Sequence, residues 1–232
     1  MDIHTFIGNY RETFGQQAGL PIVFWYSDQP EAPAEKVNGC FFKSMAQVRN
    51  GKIISLNAET IGCGGGKFYT GFTDMPEHVP GFVSLKEKYK KTPDMVVDFI
   101  QELQVPKAEK AYLHFARIDK IGSFDKVEGI LFLATPDMLA GLATWAFFDS
   151  NATDAVSAPF GSGCFGILRP VCPSSFRGRV IKLHHSDVPV QGDVSHHARK
   201  LPVRHPRLEQ TQGKDTGQAE RDKAFQPFKC IF

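Results

Sequence analysis

Ile3, Phe6, Ile7, Tyr10 and Phe14 recur every three or four residues through 2–17, and this spacing predicts an amphipathic helix. The pattern then changes. PIVFWYS (21–27) is an unbroken apolar run of β-branched and aromatic side chains, which predicts a buried strand. DQPEAPAEK (28–36) is polar and proline-containing, hence a loop. GCFFKSMAQVR (39–49) suits a helix stopped by Asn50-Gly51, and KIISLNAE (52–59) suits a strand. Residues 73–92 read as loop, with Pro76, Pro80, Gly81 and the basic cluster KEKYKK (86–91) as a solvated face. Thr92-Pro93-Asp94 opens a helix in which Met95, Val96, Phe99, Ile100 and Leu103 are periodic. KAYLHFARI (110–118) and VEGILFLA (127–134) are two further strands, joined by a loop around Gly122-Ser123. Thr135-Pro136-Asp137 opens the helix TPDMLAGLATWAFFD by the same cap-then-proline logic. The expected class is α+β or α/β, a mixed sheet of at least four strands with flanking helices, without a dinucleotide fingerprint or an internal repeat.

Composition narrows the picture. The 232 residues include 20 Phe, enough for a sizeable core. No apolar run approaches the ~20 residues of a membrane span. MDIHTFIGNYRETF lacks the basic start and apolar stretch of a signal peptide, so a cytoplasmic location with reduced thiols is expected. Five cysteines, an odd number at wide spacings, do not form a disulfide framework. Charge is uneven. Residues 166–232 hold 12 Lys+Arg against 6 Asp+Glu, and residues 1–165 hold 15 against 19.

The candidate chemistry lies in IGCGGGKFYTGF (61–72). Strand, glycine-rich turn and lysine follow in the order of an anion-cradling turn, although neither GxGxxG nor a P-loop is present. Gly62, Gly64, Gly65, Gly66 and Lys67 are therefore candidate ligand-binding residues. SAPFGSGCFG (157–166) repeats the combination, with Gly161 and Gly163 ahead of Cys164. Cys40, at a helix start, joins Cys63 and Cys164 as candidate metal ligands. Three thiolates would hold an iron–sulfur cluster or zinc with one open position, or act as a redox pair. Their spacing is not diagnostic, and cysteines also serve as small buried hydrophobes. His114 alternates with apolar neighbours and reads as a hydrogen-bonded sheet histidine. No Ser/His/Asp order stands out.

Cys40 ahead of a helix, Gly51-Lys52 entering a strand, Cys63 to Gly66, Gly71-Phe72 and Gly161 to Cys164 together resemble the family catalogued as domain of unknown function 169. The resemblance covers about 1–165 and carries no established reaction. Relatives with additional cysteines imply a thiol, metal or cluster site. After Cys164 the chain departs from the family's strand and helix endings. Reading one base later, LRPVCP (168–173) permits FDPSVR, VIKLHHSDVPVQGD (180–193) permits LLSFTIPMSRFKEM, and RKLP (199–202) permits ESFL. A frameshift is the resulting hypothesis, which sequencing of the encoding DNA tests. On that hypothesis 1–165 is a single domain, incomplete at its C-terminus, and 166–232 is a basic tail, non-native or disordered. His184, His185, His196 and His197 then form no metal site, and the basic tail implies no nucleic-acid partner.

The expected function is a cysteine-based metal, iron–sulfur or redox site beside glycine-rich turns. The alternative is a non-catalytic module for a small or anionic ligand, with the cysteines as core. No membrane partner is expected, and the sequence does not specify an oligomeric state.

Overall fold

A computed structural model describes residues 2–148 together with Val156, Ser157, Cys164, Ile167, Ile181 and Lys182. Its centre is an antiparallel pair. Strand β1 (Ile22–Ser27) runs against β3 (Tyr112–Arg117), with Ile22 opposite Arg117 and Ser27 opposite Tyr112. Strand β2 (Ile54–Leu56) pairs with the far side of β3, and β4 (Gly129–Leu131) with the far side of β1, giving the antiparallel order β2-β3-β1-β4.

Alternation along the strands sends side chains into two cores. Ile22, Phe24, Ile54, Leu56, Leu113 and Phe115 face one side. They meet Phe41 of a 3-10 turn (Phe41–Ser44) and Met45 and Val48 of α2 (Met45–Arg49). Val23, Trp25 and Ala116 face the other side, under Ile3, Phe6 and Tyr10 of α1 (Ile3–Phe14) and Leu142 and Trp145 of α6 (Pro136–Phe148). Helices on both faces explain why β1 is apolar at successive positions rather than alternately.

Local chemistry sets the boundaries. The Asp2 carboxylate accepts the Thr5 N–H at 3.0 Å and caps α1. Thr92 and Thr135 accept the N–H groups of Met95 and Met138, each at 3.3 Å, and so start α5 (Pro93–Leu103) and α6 where the two Thr-Pro-Asp triplets predict. Strand β2 is shorter than the 52–59 run. The Asn57 side-chain oxygen accepts the N–H groups of Glu59 and Thr60 at 3.0 and 2.9 Å, an Asx turn that ends the strand. The 73–92 segment is not all loop. It contains a short turn, α4 (Val79–Gly81), and a π-helical turn over Phe82–Lys86.

The class is α+β. Among the described residues, parallel pairing is confined to the Val37–Ile61 bridge and to β5 (Val156–Ser157) with β6 (Ile181–Lys182), so the four-stranded sheet is antiparallel and not mixed as expected. Gly161, Gly163 and the 166–232 tail lie outside the described residues, apart from Ile167, Ile181 and Lys182. Among the described residues no helix is long and apolar enough to cross a membrane.

Candidate functional site

The glycine stretch is not an open turn. Gly64–Tyr69 forms the short helix α3, capped by Cys63, whose Sγ accepts the Gly66 N–H at 3.5 Å. Other parts of the protein come close to its backbone. A Cβ at Gly62 would stand 2.5 Å from the Val37 carbonyl oxygen, one at Gly64 3.2 Å from Pro76, and one at Gly66 3.1 Å from both Ile61 and Phe41. Gly71 has φ +79°, and a Cβ there would lie 2.4 Å from the Pro106 oxygen. Close packing favours glycine at these positions, and at Gly71 the left-handed backbone does so as well. Gly65 is different, since a Cβ there would meet only the neighbouring Cys63 sulfur at 3.9 Å. Lys67 lies half-buried in the last turn of α3.

The cysteines surround the contact between Phe41 and α3. Cys40 directly precedes Phe41, Cys63 caps α3, and Cys164 is buried in the apolar cluster that contains Phe41. Burial pushes the Cys40 thiol above its usual range, and the negative charge of a Cys63 thiolate adds to the rise. None of the three is in a disulfide. Among the described residues no group of three His, Cys, Asp or Glu side chains is arranged to hold a metal ion.

A polar cluster crosses the other face of the sheet. His114 is fully buried, opposite Trp25 on β1 and Ser55 on β2. Its Nδ1 lies 2.9 Å from Ser55 Oγ and its Nε2 2.8 Å from Ser27 Oγ. Proton counting fixes the tautomer. Ser55 Oγ accepts the backbone N–H groups of Glu31 (3.1 Å) and Ala32 (3.0 Å), so its own proton goes to Nδ1. Ser27 donates to the Gln29 carbonyl at 2.6 Å, so Nε2 must carry the proton that Ser27 accepts. Both ends therefore require the same neutral imidazole. Burial holds its pKa down, to about 4. Lys126 pairs with Glu31 at 2.6 Å and lies 4.4 Å from the centre of the Trp25 ring. This is not a nucleophile–base dyad. Ser55 is 1 % exposed with both lone pairs occupied, and the Ser27 proton is committed to a carbonyl.

A cleft of about 220 Å³ opens at the edge of the sheet, between β2 and the Pro33–Asn38 segment. Glu35, Lys36, Asn38, Gln47 and Lys52 supply its polar groups, and Val37, Ile54 and Leu56 its apolar wall. Lys52 pairs with Glu35 at 3.1 Å. Ser55 also lines it, which joins the cleft to the histidine cluster. The sequence pattern singled out neither Ser27 nor Ser55 nor Lys36, and Lys52 only as part of the Gly51-Lys52 motif and not as a ligand-binding residue. The available signal was polar Ser55 and His114 inside two apolar strand runs.

The model of the family DUF169, described as uncharacterised ArCR, matches residues 22–173, from the start of β1 past Cys164, and the chain belongs to that family. No curated protein and no solved structure matches the chain.

Gly71→Ala is expected to lose more than about 2 kcal/mol, because it combines left-handed strain with a backbone collision. Gly65→Ala is expected to stay within about 1 kcal/mol of the native chain, or to gain, because it replaces helical glycine in open space. Chemical denaturation of the two variants checks the contrast. His114 also sets a pH dependence. Its folded pKa of about 4 lies below the ordinary 6.5, so the unfolded chain binds the extra proton between these values. Its contribution is complete above about pH 6.5, declines as pH falls and is gone below about 4, a change on the order of 3 kcal/mol. Stability measured against pH should show this slope, and His114→Gln should remove it.

Proposed function

We propose that this DUF169 member is a small-ligand-binding module that takes a compact anion in the cleft beside β2. The observation that carries the reading is the cleft's combination of size and charge. About 220 Å³ corresponds to roughly seven water molecules. That suits a phosphate or a short carboxylic acid and is small for a dinucleotide. Lys36 and Lys52 bring positive charge, Asn38 and Gln47 bring amide donors, and Val37, Ile54 and Leu56 receive a short apolar body. The Lys52–Glu35 pair is exposed at both ends, 45 % and 70 %. Such a pair contributes about 0–1 kcal/mol, so an incoming anion replaces Glu35 on Lys52 at little cost.

A second reading keeps the cysteines as a metal, iron–sulfur or redox site. The electrostatic influence of Cys63 on Cys40 favours it, since it places the two thiols within reach of each other's charge. Against it, Cys164 packs as an apolar side chain, and burial disfavours the Cys40 thiolate that a ligand or nucleophile needs.

Titration with inorganic phosphate and with butyrate, followed by amide chemical shifts, is expected to give saturable changes confined to residues 33–56. Lys52→Ala should weaken binding about tenfold, ~1.4 kcal/mol, and Glu35→Gln should tighten it by freeing Lys52. Absence of saturable change in the cleft with both probes would sink the module reading. Anaerobic purification with a visible spectrum and metal analysis separates the second reading. A colourless, metal-free protein is expected, whereas iron with sulfide, or zinc, lost in Cys63→Ser would establish the cysteine site.

A further inference from the structure

We infer that His114, acting through Ser55 and Ser27, is the positioning residue that sets the wall of the cleft. The inference rests on the reading of the cleft as a ligand site. The wall is the Pro33–Asn38 segment, which belongs to no helix or strand of the sheet and needs outside support to hold Glu35 and Lys36 in place. Its far end is tied by backbone. The Val37 N–H donates to the Thr60 oxygen at 2.8 Å, and the Gly62 N–H donates to the Val37 oxygen at 3.1 Å. Its near end is tied by side chains. Glu31 and Ala32, directly ahead of Pro33, donate their N–H groups to Ser55 Oγ, and the Gln29 carbonyl accepts from Ser27 Oγ. Both serines are oriented by the one imidazole between them.

The chain of hydrogen bonds runs in one direction. Ser55 donates to His114, His114 donates to Ser27, and Ser27 donates to Gln29. Ser55 therefore presents a fixed pair of acceptor sites to the loop and Ser27 a fixed proton, and neither hydroxyl can rotate without breaking its bond to the buried imidazole. The Lys126–Glu31 ion pair supports the same end from outside, but its partners are 47 % and 40 % exposed and contribute little. Glu35 and Lys36 are thus suspended between a backbone anchor and a histidine-centred one. The separation of Glu35 from Lys52 follows from where the second anchor holds the chain.

The experiment combines amide hydrogen exchange with phosphate titration of the full chain. Ser55→Ala is expected to speed exchange at Glu31 and Ala32 at least tenfold, to leave the β1–β3 ladder protected, and to weaken phosphate binding about tenfold. Ser55→Thr, which keeps the oxygen, should restore both. If Ser55→Ala does not fold, Ser27→Ala carries the test through the release of the 28–32 loop. Unchanged exchange at Glu31 and Ala32 would overturn the clamp. Faster exchange with unchanged phosphate affinity would overturn its role in positioning. If the native chain binds no phosphate, the module reading fails by itself, and exchange still decides whether the clamp exists.

Discussion

The antiparallel contact between β1 and β3 organises the molecule. From Ile22–Arg117 to Ser27–Tyr112 the two strands are paired along their whole length, and both are covered on both faces. A shift of one residue would exchange the two cores and place His114 among Phe41 and Met45. The register therefore fixes the polar cluster as firmly as it fixes the packing. Trp25 stands opposite His114 with the rings 5.2 Å apart, and Ser55 reaches the same imidazole from β2. A buried histidine is tolerated here because each ring nitrogen has a partner and the ring is uncharged.

Much of this fold was legible in the amino-acid order. The threonine–proline–aspartate starts of α5 and α6 and the stripe of α1 gave their elements because each signal is local, written within one turn of chain. Three readings were less complete. Residues 39–49 divide into a 3-10 turn and a short helix, β2 stops at the Asn57 turn, and the loop at 73–92 contains a π-helical turn. These depend on how the segment meets its neighbours. The cleft was not legible at all. Its lysines and amides come from separate segments that only the edge position of β2 brings together, and Ser55 gains meaning only from its register with His114.

The glycine–cysteine stretch illustrates the same division. Its composition matches an anion-cradling turn, because glycine is required wherever something approaches a backbone closely. Composition does not say what approaches. At Gly62 it is the Val37 carbonyl, and at Gly66 it is Phe41. These two contacts join the segment leading into α3 to the far anchor of the cleft wall, and α3 itself to the core beneath β2. The stretch thereby contributes to the cleft without lining it, since Gly62 also donates to the Val37 oxygen that ties the wall down.

An anion in the cleft would favour a positive imidazole behind Ser55, and by itself that attraction would draw a proton onto His114. The hydrogen-bond count opposes it. A second ring proton would need an acceptor at Nδ1, where Ser55 Oγ already accepts two backbone N–H groups and donates its own proton to the ring. Protonation would turn Ser55 around and release at least one of those amides. Lys126, packed over Trp25, adds a repulsive charge that the Glu31 carboxylate paired with it offsets. Burial and the hydrogen-bond pattern together favour the neutral imidazole. On the proposed reading, recognition of negative charge would fall to the exposed Lys36 and Lys52, and the buried cluster would contribute shape alone.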